Sequence, residues 1–114
     1  MENCIFCRIV KKEIPSKIVY EDNNIIVIED INAQAPIHIL VIPKKHIQNI
    51  QFITEEDTSL IYKIYKVINH LVKDKKISDS GFRIVINTND DGGQTVPHLH
   101  FHVLGGRTMT WPPG

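Results

Sequence analysis

The run Pro97-His98-Leu99-His100-Phe101-His102-Val103-Leu104 alternates imidazole and apolar side chains without a break. Side chains on a strand alternate between its two faces, so this spacing predicts His98, His100 and His102 on one face, neighbours about 7 Å apart. Leu99, Phe101 and Val103 fall on the other face and can bury. Three of the six histidines of the chain stand here. Packing does not account for them, because apolar residues would fill either face at lower cost. Imidazole carries protons near neutral pH, attacks electrophiles and binds metals.

A second candidate is the pair Cys4 and Cys7, in Cys-x-x-Cys spacing. Such a pair suits a metal knuckle or a redox couple, and two plain thiols remain an alternative. The flanks show no βαβ unit of the thioredoxin kind. Two thiolates fill half of a tetrahedral zinc shell, so two further ligands would have to come from elsewhere.

Between the last two expected strands lies Thr88-Asn89-Asp90-Asp91-Gly92-Gly93-Gln94-Thr95, with no apolar residue. The Gly92-Gly93 pair can turn backbone N–H groups inward as an anion cradle, or can simply turn a hairpin. Thr95 adds a hydroxyl and Asn87 an amide. The loop leads directly into the histidine run, which pairs phosphate with imidazole. Asp90 and Asp91 oppose an anion unless they point outward.

The rest of the chain must hold these groups. Ile5 to Lys11 has helical spacing, and Ile14-Pro15-Ser16 breaks it. Lys17–Glu21 and Ile25–Glu29 read as a hairpin around Asp22-Asn23-Asn24. Asp30 stands at its exit. Ile37–Ile42 is nearly all apolar, the mark of a central strand covered on both faces, with His38 as its polar interruption. Pro43-Lys44-Lys45-His46 closes that strand and opens a short helical segment through Ile50. Thr54-Glu55-Glu56-Asp57 caps a helix whose stripe is Leu60, Ile61, Ile64, Tyr65, Ile68, Leu71 and Val72. His70 lies off that stripe. Phe82–Asn87 is a strand, and the histidine strand follows. The order β-β-β-α-β-β gives an α+β fold: a mainly antiparallel sheet of about five strands, one long helix and a short N-terminal helix. The tail from Thr108 to Gly114 is stiff, with Trp111 before two prolines.

Composition excludes several functions. The 114 residues, 42% hydrophobic and 23% charged, suit one soluble domain spanning 1–114. Thirteen basic residues balance thirteen acidic ones, so no field gathers nucleic acid or an anionic membrane. Met1-Glu2-Asn3-Cys4 does not begin a signal peptide, and no apolar run could cross a bilayer. The expectation is a cytoplasmic protein.

The run His98-Leu99-His100-Phe101-His102-Val103-Leu104 resembles the signature of the histidine-triad (HIT) family. Other stretches resemble its Hint branch, the nucleoside phosphoramidate hydrolases. They are Ile14-Pro15, Glu29-Asp30-Ile31, Gln34-Ala35-Pro36-Ile37-His38, Val41-Ile42-Pro43-Lys44-Lys45-His46, Asp91-Gly92-Gly93-Gln94, and Val103-Leu104-Gly105-Gly106-Arg107 with Trp111-Pro112-Pro113-Gly114. The match runs from about Cys4 to the last residue.

The resemblance implies a hydrolase that transfers a purine nucleotide to water through a covalent nucleotidyl-histidine, with an AMP-type phosphoramidate as substrate. It implies His100 as nucleophile and His102 on the phosphate. His98 would orient its neighbour through the backbone, with His38 in the same network. Asn87, Gly93, Thr95 and the backbone at Val96 would hold phosphate or leaving group, and Asp30 the ribose. Phe6, Ile9, Ile28 and Ile31 would line the purine pocket. A homodimer is implied, with the Trp111 tail reaching toward the partner's site. Cys4 and Cys7 resemble bacterial-type relatives in which such cysteines join histidines matching His46 and His98 around structural zinc; no organic cofactor is implied. Pro97 stands where an aromatic is common, and Thr95 where Ser is frequent.

Two rivals deserve a test. One is a metal hydrolase using the His triplet as zinc ligands around an open position. The other is a nucleotide-binding scaffold with little turnover. Nucleic-acid end processing is disfavoured by zero net charge and the lack of basic arms.

Overall fold

The structure, a computed structural model, describes residues 3–114; Met1 and Glu2, part of the N-terminal stretch read above, lie outside it. Its elements are α1 (Ile5–Val10), β1 (Ile18–Glu21), β2 (Ile25–Glu29), β3 (Ile37–Pro43), α2 (Thr58–Asp74), β4 (Phe82–Val85) and β5 (Phe101–Gly105). The five strands form one sheet in the order β1-β2-β3-β5-β4, and every neighbouring pair is antiparallel. The α+β architecture expected from the sequence is the one observed.

The β1–β2 turn follows from Asp22, whose Oδ1 accepts the N–H groups of Asn24 and Ile25 at 2.7 and 2.8 Å. β3 lies at the centre of the sheet, as its apolar composition requires. Alternation along the strands then sorts side chains between two cores. Ile25, Val27, Ile39, Val41, Leu99, Phe101 and Val103 pack beneath α2. Ile26, Ile28, Leu40 and Ile42 face the other way, against Cys4, Phe6, Cys7 and Ile9 of the α1 segment.

α2 buries Ile64, Val67, Ile68, Leu71 and Val72. Tyr65, placed on the stripe by spacing, is 41% exposed and instead lays its ring edge-on to Phe101, with centroids 5.7 Å apart. The capping residues work one turn early. Asp57 accepts the Thr54 N–H at 3.0 Å around a 3₁₀ turn over Glu55–Asp57, and α-helix begins at Thr58.

Two segments depart from the pattern, for one shared reason. The stretch after Pro43 is not helical until a 3₁₀ turn at Ile50–Phe52. The histidine run is laddered only from Phe101. In the β3–β5 register Val41 faces Phe101, so Pro43 would face Leu99 and has no N–H to give. Leu99 donates its N–H to the Ile47 carbonyl at 2.6 Å instead. That bond ties the two segments together beyond the end of the ladder. The alternation survives without it: Leu99, Phe101 and Val103 all enter the α2-side core.

Candidate functional site

The α1-facing side of the sheet carries two clusters of polar side chains. The first joins residues far apart in sequence. Cys4 is the N-cap of α1, and its Sγ accepts the Cys7 N–H at 3.4 Å. His46 follows β3 and His98 precedes β5. The Cys4 Sγ is 3.3 Å and the Cys7 Sγ 3.6 Å from the His98 Nδ1. The His46 Nδ1 is 3.3 Å from the Cys7 Sγ and 3.1 Å from the His98 Nδ1. Tetrahedral zinc with N and S ligands sets such edges at about 3.3–3.8 Å; the three sulfur–nitrogen edges lie in that range, and the nitrogen–nitrogen edge is slightly shorter.

The chemistry of the donors agrees with the spacing. The His98 Nε2–H donates to the Pro43 carbonyl at 2.8 Å, which leaves the Nδ1 lone pair aimed into the cluster. A carbonyl behind the ring is the usual partner of a metal-binding histidine. Burial holds His98 down to about 4, so its ring is neutral near pH 7. Burial, then the Cys4 side chain, pushes the Cys7 thiol up to about 11, so a cation binding here would release thiol protons. The four residues fit a closed structural zinc site.

The second cluster holds Asp30, His38 and His102. His102 stands diagonally across the β3–β5 ladder from His38, within reach of two long rings. The His38 Nε2 and His102 Nδ1 are 2.9 Å apart. The Asp30 Oδ2 lies 3.3 Å from the first and 4.0 Å from the second. Asp30 is fixed by its own N–H on the His38 carbonyl at 3.0 Å and by the Asn32 N–H on its Oδ1 at 2.8 Å. The Gln34 main-chain N–H meets the His38 Nδ1 at 3.0 Å. Burial lowers His38 below its usual range and takes His102 down to about 4, against a smaller upward pull from Asp30. Both rings are neutral near pH 7.

His100 lies between the clusters, 6% exposed. Its Nδ1–H donates to the His98 carbonyl at 2.7 Å, so its Nε2 keeps a free lone pair. Burial also lowers this ring, which keeps the lone pair unprotonated. Phe6 meets it edge-on, with centroids 5.0 Å apart, and touches His98 at 5.8 Å. The His102 ring is 5.0 Å away on the other side. A neutral imidazole with one nitrogen anchored and the other open is a nucleophile held in position.

The three rings of the run do not converge on one point. His98 offers its nitrogen to the cysteine cluster and His102 to Asp30 and His38; among the described residues His100 belongs to neither group. A single zinc ion held by the triplet has no geometry here.

Other expected site residues fall into place unevenly. Phe6, Ile9 and Ile28 share the apolar cluster beneath the rings, and Val96 packs against it. Ile31 is 104% exposed and Trp111 82% exposed. Thr95 is exposed and Asn87 half-buried just beyond β4. The Gly93 N–H donates to the Asp90 carbonyl and the Gln94 N–H to the Asn89 carbonyl, so both are used inside the loop. Gly92 is required by space, because a Cβ there would collide with the Thr88 carbonyl. The cavity reaching Asp30 and His38 holds about 150 Å³, too small to enclose a nucleotide. Sequence reasoning missed the Pro43 carbonyl and the Gln34 N–H, since main-chain groups carry no side-chain signature.

Residues 3–111 match the family described as "Scavenger mRNA decapping enzyme C-term binding". The chain is 45% identical over 113 residues to an uncharacterized HIT-like protein of Synechocystis sp., covering 99% of this chain and 98% of that one. A HIT family hydrolase from Legionella pneumophila Philadelphia 1 has a similar structure, with TM-score 0.97 and 48% identity, covering 98% of this chain and all (100%) of that chain. A histidine triad protein from Clostridium difficile gives TM-score 0.92 and 43% identity, over 96% of each chain. No helix among the described residues is long and apolar enough to cross a membrane. With the histidine run in place and likeness of this extent, the chain belongs to the histidine-triad (HIT) family.

Proposed function

We propose that the chain hydrolyses purine nucleoside phosphoramidates through a nucleotide-bound His100. The observation that carries this reading is the anchored His100 ring: Nδ1–H on the His98 carbonyl, Nε2 open. That lone pair attacks the α-phosphorus, a P–N(His) bond forms, and the substrate P–N bond breaks. The departing amine takes up a proton. Water then attacks the same phosphorus, releasing a nucleoside monophosphate and restoring the ring. Splitting one slow displacement into two is the general benefit of a covalent nucleophile. Positioning and charge stabilisation supply the rest.

His102 borders the attacked phosphate, and His38 and Asp30 support it from behind. His98 positions His100 through its carbonyl. Asp30 also stands where a ribose would be held, beside Ile31, whose bare apolar side chain is available to a base. Phe6, Ile9 and Ile28 support the purine side from the core. Asn87, Gly93, Thr95, Val96 and Trp111 complete the proposed substrate contacts. Zinc, held by Cys4, Cys7, His46 and His98, would lock α1 and the approaches to β3 and β5 together, and it takes no part in the reaction. The proposed assembly is a homodimer in the cytoplasm, and edge strand β4 is open to antiparallel pairing.

The test is release of amine from adenosine 5′-phosphoramidate. Turnover by the wild-type protein and its loss in His100→Ala, with nucleotide binding kept, is the expected result. Equal turnover by that variant would overturn the reading.

A further inference from the structure

We propose that the Gln34 main-chain N–H, held in place by Arg107, fixes the proton of His38 on Nε2 and thereby makes His102 a hydrogen-bond donor toward the bound phosphate. This rests on the phosphoramidase reading for its chemistry, but not for its geometry.

A main-chain N–H can only donate. At 3.0 Å from the His38 Nδ1, it requires a lone pair on that nitrogen. A neutral His38 ring must then carry its proton on Nε2. That proton points at the His102 Nδ1, 2.9 Å away, with the Asp30 Oδ2 as a longer second acceptor at 3.3 Å. His102 must in turn accept at Nδ1 and hold its own proton on Nε2. The opposite arrangement places Nδ1–H on both rings. It would leave the His102 Nε2 as an acceptor facing phosphate oxygens, which are acceptors too. One peptide group thus decides whether His102 attracts or repels the substrate. The same lock denies His38 a lone pair on Nε2, so Asp30, His38 and His102 do not form a metal site despite their closeness.

Gln34 is held from outside, through the next peptide along, which carries its carbonyl. After β5 the chain turns at Gly106, with φ +89°, close against Pro36. This brings the Arg107 Nε to the Gln34 carbonyl at 3.0 Å, while its Nη1 donates to the Thr108 carbonyl at 3.1 Å. Arg107 makes no salt bridge among the described residues, so its donors serve the main chain. The Gln34 Nε2 adds a bond to the Asn32 carbonyl at 2.9 Å. Gln34 and Arg107 are positioning residues, distant from the reacting atoms.

The test reads the tautomers directly, by nitrogen-15 NMR of the histidine rings in substrate-free protein near pH 7.5. The expected spectrum has Nε2–H on His38 and on His102, and Nδ1–H on His100. Nδ1–H on His38 or His102 would overturn the proposal, whatever the activity. Gln34→Pro removes the N–H, and Arg107→Ala loosens its support. Both are expected to give mixed tautomers on His38 and His102 and a kcat about tenfold lower, with KM changed less. Arg107→Lys, which keeps a donor, should restore most of the wild-type spectrum. An Arg107→Ala protein with unmixed tautomers and unchanged kcat would remove Arg107 from the account. Absence of phosphoramidase activity alongside the expected spectrum would count against the proposed substrate, not against the lock.

Discussion

Two clusters on the same side of one sheet use the same side chain in opposite ways. In the first, His46 and His98 bring Nδ1 to Nδ1 at 3.1 Å, with two thiols beside them. The Pro43 carbonyl takes the far proton of His98, so lone pairs and thiols point inward. In the second, His38 meets His102 by Nε2 to Nδ1 at 2.9 Å, and a main-chain N–H stands behind His38. Donor there alternates with acceptor. Converging lone pairs repel unless a cation fills the centre; alternating ones satisfy each other. The group behind the ring, carbonyl or N–H, sets whether its far nitrogen offers a lone pair or a proton. His100 takes the carbonyl kind of partner but has an open far side, the combination that the proposed nucleophile requires.

The largest effect tests the open ring. His100→Ala should lower kcat for a nucleoside phosphoramidate by about 10⁴-fold or more, the usual cost of deleting a covalent nucleophile, in a protein that still melts cooperatively but at a lower temperature, because a buried ring is lost. Steady-state kinetics with calorimetry checks this.

The contrast sharpens next on metal. One zinc per chain should be found by elemental analysis, and Cys7→Ala should abolish it. The melting temperature should fall by about 10 °C or more, because several kcal/mol of cross-linking would be lost and a domain of this size shifts by roughly 4–8 °C per kcal/mol. Asp30→Asn should leave the zinc content as it is. Zinc retained by Cys7→Ala but lost from Asp30→Asn would reverse the assignment of the two clusters.

His102→Ala should cost about 10²-fold in kcat, in the range of a deleted proton donor. It should not release zinc.

A smaller effect is pH dependence. His38 and His102 titrate below their unfolded range, His102 near 4, because both are buried. Between about pH 6.5 and 4 the unfolded chain therefore binds more protons than the folded one. Stability falls as pH falls through this window, by up to about 1.4 kcal/mol per pH unit for His102, and His38 adds a loss of the same sign. Denaturant melts at several pH values should show a shallower slope in His102→Asn than in the wild type. An equal slope would mean that His102 is not held neutral by the fold.

Much of this was legible in the residues. The alternation from His98 to Leu104 placed Leu99, Phe101 and Val103 in the α2-side core, and the apolar run at Ile37 placed β3 at the centre. The Cys-x-x-Cys spacing put two thiols side by side, and the fold brings His46 and His98 to them. What stayed hidden was set by contacts between distant segments. Pro43 ends the ladder only because the β3–β5 register puts it opposite Leu99, and the Leu99–Ile47 bond then ties down residues that were expected to be helical. The glycine pair before the histidines read equally as an anion cradle or a plain turn; the bond of Gly93 to Asp90 and the room that Gly92 yields to Thr88 were not visible in it. Gln34 and Arg107 were visible as letters of a motif. Their bond to each other, and the direction it gives to His38, appear only when the β2–β3 loop and the end of β5 are seen side by side.

The most direct measurement is rapid-quench intact mass spectrometry of the protein mixed with a slow purine nucleoside phosphoramidate. The account predicts a transient gain of one nucleotidyl group, acid-labile as a phosphoramidate should be, mapped to His100 and missing in His100→Ala. A protein that turns over substrate while its mass never changes, or that carries the group on His98 or His102, would contradict it.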